Sequence, residues 1–288
     1  MTLFDIVIPI GPNDINVISK MIEHTQKYII GYRNIYLVSF DPTITFNNCI
    51  TIDENIFPFN KKIIANYLGN NDRIGWYLQQ LIKLYSGFVI KDILNNYLVI
   101  DSDTYFYKST TFFNGNLPLY NIGTQYHRPY FEHLNKLHPT LTKQTHFSGI
   151  CHHMMFQINI IIELFKLVEE YHNDIFYIIF LKCINKNNIL GSGASEYEIY
   201  FNYLHIYHKN KFLIRQLKWK NTDIVINDDD YDYISCHWYL RNLKKNKLPD
   251  IMDFLCHRFK FNLFDGYSFY TLTPFNISNA DFLGIKNN

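Results

Sequence analysis

The sequence predicts an α/β fold, a parallel sheet covered by helices. Three observations carry this. Short apolar runs alternate with stretches of helical periodicity through the first hundred residues. One of those runs, Tyr97-Leu98-Val99-Ile100, ends directly on Asp101-Ser102-Asp103. The chain has 288 residues, 48% hydrophobic and 17% aromatic, enough for one large core with a modest insertion.

The elements follow in order. Phe4-Asp5-Ile6-Val7-Ile8-Pro9-Ile10 reads as the first strand, ended by Gly11-Pro12-Asn13-Asp14. Residues 15–28 have helical periodicity. Asn34-Ile35-Tyr36-Leu37-Val38-Ser39 is a second strand closed by Asp41-Pro42, and Ile50-Thr51-Ile52 a third. Asp72 is placed to cap a helix over 73–86, with Leu78, Leu81, Ile82 and Tyr85 on its apolar face. The strand ending at Asp101 comes next. Residues 104–150, rich in Tyr, His, Pro and Gly, read as a long irregular connection of the kind that usually has a function. Amphipathic helices are expected over 159–171 and 175–185, and Gly191-Ser192-Gly193-Ala194 opens another near Glu196. Basic and aromatic residues fill 209–220. The acidic stretch 228–232 lacks the spacing of a calcium loop and reads as an exposed turn. Tyr233-Ile234-Ser235-Cys236-His237-Trp238 is the last candidate strand. One domain over 1–240 is expected, with 241–288 as an extension packed on it.

A net charge of +1 gives no whole-chain field for nucleic acid or an anionic membrane. It suits a small anionic substrate held by local groups. Five scattered cysteines without a C-x-x-C pair indicate buried thiols in a reducing compartment. Residues 1–10 lack the pattern of a signal peptide. The most apolar later window, 175–181, falls far short of the ~20 residues that cross a bilayer. A soluble, cytoplasmic protein is expected. Heavy use of Asn, Ile, Lys and Tyr points to an AT-rich genome, a statement about origin alone.

The chemistry gathers at few places. In extended backbone, positions i and i+2 share a face, so Asp101 and Asp103 can address one ion across Ser102. In an open α/β sheet, ligands bind outside the carboxyl ends of strands. Paired hard oxygens there suit Mg²⁺ or Mn²⁺, and such an ion suits a diphosphate. The bland alternative is a solvated turn. His237 lies late in the chain, where a third ligand can reach Asp103; a lone histidine near a strand end is otherwise structural. Ser195 and Glu198 match the S-x-x-E capping box, which occupies Glu198 and leaves Glu196 free as a general base. A glutamate serving only the helix dipole is the alternative. Phe147-Ser148-Gly149-Ile150-Cys151-His152-His153 matches no zinc signature, and adjacent histidines point apart in a strand. A better use of Gly149, with Ser148, is close backbone approach to a sugar. Arg73 and Gln80, with Gly75, Trp76 and Gln79, mark a helix start suited to holding phosphate or ribose.

Taken in order, Val7-Ile8-Pro9, Arg73-Ile74-Gly75-Trp76-Tyr77-Leu78-Gln79-Gln80, Tyr97-Leu98-Val99-Ile100-Asp101-Ser102-Asp103, Gly123-Thr124-Gln125-Tyr126-His127, Ser148-Gly149-Ile150-Cys151-His152-His153, Gly193-Ala194-Ser195-Glu196-Tyr197-Glu198 and His237-Trp238 resemble the GT-A type nucleotide-sugar glycosyltransferases. Within these the resemblance is to a poorly characterised branch found in giant viruses, bacteria and algae. It spans roughly residues 4–240. It implies a single Rossmann-like GT-A domain with a mixed, mostly parallel sheet flanked by helices. It also implies Mn²⁺ or Mg²⁺ on Asp101, Asp103 and His237, and a nucleoside-diphosphate sugar donor, with a UDP-sugar favoured. Pro9, Gly11 and Asp41 would lie near the nucleoside, and Asp101 and Ser102 beside the donor. The acceptor would be a hydroxyl on a glycan or glycoprotein, along a groove lined by the Tyr- and His-rich stretch 120–133. A viral origin would place the protein in host cytoplasm or virion. Many inverting members carry Asp where this chain has Ser195-Glu196, so both stereochemical courses stay open. Two other readings are a sugar nucleotidyltransferase and a non-catalytic carbohydrate-binding protein. The first wants a Gly-rich loop with a basic residue after the first strand, which Gly11-Pro12-Asn13-Asp14 lacks. The intact acid pair argues against the second.

Overall fold

The computed structural model describes residues 2–225, 230–237, 240 and 241. Strand β1 (Phe4–Ile10), apolar except for Asp5, is buried at every position, as a strand in a sheet covered on both faces should be. It is followed by α1 (Ile18–Tyr28), β2 (Tyr32–Ser39), β3 (Ile50–Asp53), α2 (Lys61–Leu68), α3 (Ile74–Val89) and β4 (Asn96–Ile100). The second half adds β5 (Thr104–Phe106), α4 (Arg128–Leu137), β6 (His153–Gln157), α5 (Ile158–His172), α6 (Phe176–Cys183), α7 (Glu196–Tyr207), β7 (Trp219–Asn221) and β8 (Tyr233–Ser235).

The central sheet runs β6-β4-β1-β2-β3. All its pairs are parallel except β6 against β4. The mixed, mostly parallel α/β architecture is therefore as expected. From β1 the chain steps outward to β2 and β3, then returns to β4 on the other side of β1. The strand order reverses between β1 and β4, so their carboxyl ends flank the crevice where such sheets bind ligands. The amino ends are pinned instead: the buried Asp5 carboxylate accepts from Arg33 Nη2 at 2.6 Å and from the Asn34 and Leu94 backbone N–H groups at 3.1 and 2.8 Å.

A smaller sheet, β7-β8-β5, stands after β4. In it β8 lies antiparallel to β5, with Ser235 opposite Thr104. The Cys236 N–H donates to the Asp103 carbonyl at 2.8 Å, extending that ladder to the acid pair. The last strand expected over 233–238 is thus a three-residue strand outside the central sheet. Trp238 and the extension from 242 onward lie outside the described residues.

Three local expectations change. Asp72 does not cap α3; Asn71 Oδ1 accepts the Arg73 N–H at 2.8 Å and fixes the turn before Ile74. The stretch 104–150 is not wholly irregular, because residues 128–137 form α4 with Pro129 in its first turn, where a missing N–H costs nothing. The edge strand β6 was not foreseen; five residues without clean alternation give no strand signal by themselves. Among the described residues no helix is long and apolar enough to cross a membrane. Cys49, Cys151, Cys183 and Cys236 carry free thiols.

Helix α4 packs on α6 through His133, which is buried with Nε2 2.8 Å from the Phe180 carbonyl. Burial lowers its pKa to about 4, so the native imidazole is neutral. In the unfolded chain it binds a proton near pH 6.5. Its contribution is therefore fully present above pH 6.5 and falls by about 1.4 kcal/mol per pH unit down to about pH 4, some ~3 kcal/mol in all. Urea midpoints measured from pH 8 to 4 should show this decline, and His133→Leu should flatten it.

Candidate active site at the carboxyl end of the sheet

Asp101-Ser102-Asp103 leaves β4 at its carboxyl end, beside the turn Pro12–Asp14 that follows β1. The Ser102 hydroxyl donates to Asp14 Oδ2 at 2.7 Å, joining the two loops across the switch point. Arg241 Nη2 donates to the other oxygen of Asp14. Burial pushes the Asp14 pKa up, and Asp103 adds to the push.

Asp103 is buried. Its Oδ1 accepts from the Ser235 hydroxyl at 3.1 Å, and its Oδ2 lies 3.2 Å from His237 Nδ1. The β5–β8 ladder explains this contact between residues 134 positions apart, because register alone brings His237 to the acid. Burial by itself would raise the Asp103 pKa, yet the facing imidazole outweighs it and the net shift is downward. Burial likewise opposes a charge on His237, and Asp103 reverses that effect.

Asp101 sits in a different set of partners. Its Oδ1 accepts from Lys83 Nζ at 2.5 Å and from the Tyr197 hydroxyl at 2.8 Å. Its Oδ2 lies 3.3 Å from His152 Nδ1. Burial pushes its pKa up, but Lys83 and His152 overcome that and hold it below the usual carboxylate range. His152 is opposite Asp101 because the β6–β4 pairing continues one residue, with the Asp101 N–H donating to the His152 carbonyl at 2.9 Å. His152 has φ 62°, a left-handed backbone that costs a residue other than glycine about 1–3 kcal/mol and recurs at functional sites. Its buried Nε2 has no hydrogen-bond partner, and its ring stands 4.6 Å from that of His237. His153 faces the other way, among Phe106, Phe112 and Tyr233. The adjacent histidines point apart, as expected.

Glu196 heads α7 with Ser195 as its N-cap, the Ser195 hydroxyl accepting the Glu198 N–H at 3.3 Å. The carboxylate of Glu196 is not free: Lys83 Nζ donates to Oε1 at 2.7 Å, and the residue is 3% exposed. Burial raises its pKa against the opposing pull of Lys83. The expectation of a free base is corrected by a lysine on α3 that bridges the two elements. Glu198 is occupied as well, though by the Ser148 hydroxyl at 2.5 Å and Asn202 Nδ2 at 2.8 Å rather than by the box's return bond.

The other expected residues divide. Pro9 in β1 pairs with Val38, Gly11 follows the strand, and Asp41 lies just past β2, where its Oδ1 accepts from the Thr43 N–H and hydroxyl at 2.9 and 2.6 Å. All three stand at the same end of the sheet as the acid pair. Gln80 does not: it is buried, and its Oε1 accepts the Glu196 N–H at 3.1 Å, so it organises the start of α7 instead of reaching phosphate or ribose. Arg73 lies over the Trp76 ring at 4.3 Å and donates to Ser192, which ties it to the loop before α7. Ser148 and Gly149 are also buried. A Cβ on Gly149 would stand 2.5 Å from Phe201 Cβ and 3.1 Å from the Tyr197 carbonyl, so the glycine is required by α7 and not by an approaching sugar. Gly149→Ala should cost about 1–3 kcal/mol by overpacking, read as a lower urea midpoint at unchanged slope. Of the stretch 120–133, Tyr120, Asn121, Ile122, Gly123, Tyr130 and His133 are buried, while Thr124, Gln125, Tyr126 and Arg128 are exposed.

Lys83, Tyr197, His152 and Asp14 were missed. A signal existed for Lys83, since ten of the sixteen residues of α3 are buried and a lone lysine within so apolar a helix needs an anionic partner. Contacts of the other three depend on register and on which loops meet.

The metal expectation can be tested against the donors. Asp103 offers a hard oxygen and His237 an imidazole on one edge of the crevice. Asp101 does not match its expected role as a ligand, because an ammonium and a hydroxyl already occupy Oδ1. Among the described residues no three His, Cys, Asp or Glu side chains group to hold a metal alone. A two-residue donor set fits a cation that draws its remaining ligands from phosphate and water.

No family model matches this sequence, and no curated protein does. Among solved structures, the chain is similar to the apo form of mouse xyloside xylosyltransferase 1, at 9% identity and a TM-score of 0.39, over 81% of this chain and 97% of that one.

Proposed function

We propose that the protein is a metal-dependent glycosyltransferase that moves a hexosyl or pentosyl unit from a nucleoside-diphosphate sugar, UDP-linked in the first instance, to an acceptor hydroxyl on a glycan or glycoprotein. One observation carries the reading: an aspartate at the carboxyl end of β4, on the switch point of a mostly parallel sheet, meets a histidine delivered by a second sheet. Charge supports it. Among the described residues four carboxylates, Asp14, Asp101, Asp103 and Glu196, pair with two lysine or arginine cations, Lys83 and Arg241. A divalent ion offsets that excess.

Asp103 and His237 hold Mn²⁺ or Mg²⁺ in this reading. When bound, the ion neutralises charge on the departing diphosphate. The protein's own groups do the rest. Ser102 and Asp14 fix the loop after β4 against the loop after β1. Lys83, Tyr197 and His152 fix Asp101, whose half-open edge is left to accept hydroxyls of the bound donor. Glu196, neutralised by Lys83, sets the start of α7 against the same wall.

The test is UDP release from a panel of UDP-sugars, with and without EDTA. Release that stops on chelation and returns with Mn²⁺ is expected; release that survives chelation defeats the proposal. Pyrophosphate formed from a nucleoside triphosphate and a sugar phosphate would assign a nucleotidyltransferase instead.

A further inference from the structure

Lys83 is a buried ammonium shared by two carboxylates. Its side chain is 3% exposed, on the buried face of α3 among Tyr77, Leu81, Leu84 and other buried residues. One ammonium meets two carboxylates from different elements, Asp101 after β4 at 2.5 Å and Glu196 at the start of α7 at 2.7 Å, and it lies 4.4 Å from the centre of the Tyr197 ring. Of these two acids only Asp101 keeps an edge toward the crevice, its side chain being 18% exposed against 4% for Glu196.

We infer that Lys83 is a positioning residue that keeps Asp101 out of the metal's coordination shell and clamps it, with Glu196, into a fixed wall of the donor site. This rests on the metal reading above. The physical reason is competition. Asp101 Oδ1 accepts from an ammonium and a phenol and has spent its lone pairs, Oδ2 faces His152, and a divalent ion drawn to that second oxygen would be repelled by the ammonium across the carboxylate. Among the described residues no lysine or arginine pairs with Asp103, whose side chain faces the Ser235 hydroxyl and the His237 imidazole, so it is the acid of the pair that is open to a cation. The two acids of the D-x-D thus have separate tasks: Asp103 for the ion, and Asp101 for the shape of the wall. A supporting outer residue normally strengthens its metal, and its removal weakens binding about 10–100-fold. Lys83 makes the opposite prediction.

The experiment is calorimetric titration of Mn²⁺ into the full chain saturated with UDP. Lys83→Met/Glu196→Gln removes the ammonium together with one of the charges it balanced, so the fold is kept. This variant should bind Mn²⁺ about tenfold tighter than the unaltered protein, because Asp101 is released and a nearby positive charge is gone. Adding Asp101→Asn should abolish the gain. Glu196→Gln alone, which leaves Lys83 on Asp101, should bind no tighter. Binding in the folded double variant that is equal to or weaker than that of the unaltered protein overturns the inference and leaves the metal reading standing. No Mn²⁺ binding by the unaltered protein with UDP overturns both.

Discussion

Asp103→Ala should lower turnover of a nucleoside-diphosphate sugar by about 10²–10³-fold, the usual cost of removing one preorganised electrostatic element. The side chain stands at the carboxyl end of the strand next to the switch point, and its two oxygens face Ser235 and His237. Neither neighbour can replace its charge. Asp103→Asn keeps the shape and hydrogen-bonding reach while removing the charge, so it should be nearly as impaired. Added Mn²⁺ should rescue neither. Both variants keep the β5–β8 ladder, whose bond at this residue is to the backbone carbonyl, so their melting temperatures should stay near that of the unaltered protein. Wild-type turnover by either folded variant would remove Asp103 from the mechanism.

Lys83→Met should produce the largest loss of stability among the site variants, about 3–5 kcal/mol, because it leaves two buried carboxylates facing each other without their shared cation. The cost comes from the acids left behind rather than from the contact itself. Adding Glu196→Gln should therefore recover a large part of it, and the two changes should be strongly non-additive in a double-mutant cycle. Urea unfolding at pH 7 measures both. Additive effects would mean that the ion pair contributes little, and that Lys83 stands in the core for its aliphatic stem alone.

Much of the architecture was legible in the sequence because the signals are local. The runs at 4–10, 34–39 and 97–100 are mostly apolar, as strands buried on both faces are, and the helices between them carry their own periodicity. Asp101, Asp103 and the cap at Ser195 were visible for the same reason: each is defined by near neighbours in the chain. The short elements α4 and β6 were not, since a helix following a loop rich in aromatics and a five-residue edge strand are decided by what they pack against.

The sequence by itself determined the alternation of strand and helix, the acid pair at the end of the fourth strand, and the histidine able to meet it late in the chain. Only the tertiary structure decided which charges face one another. Lys83 is 18 residues from Asp101 and 113 from Glu196, and His152 is 51 from Asp101. Electrostatic partners depend on strand register and helix packing, which bring distant positions into contact and leave no trace in local periodicity. That is why Glu196 reads as free along the chain and is clamped in the fold, and why Gly149, which reads as room for a sugar, is filled by Phe201.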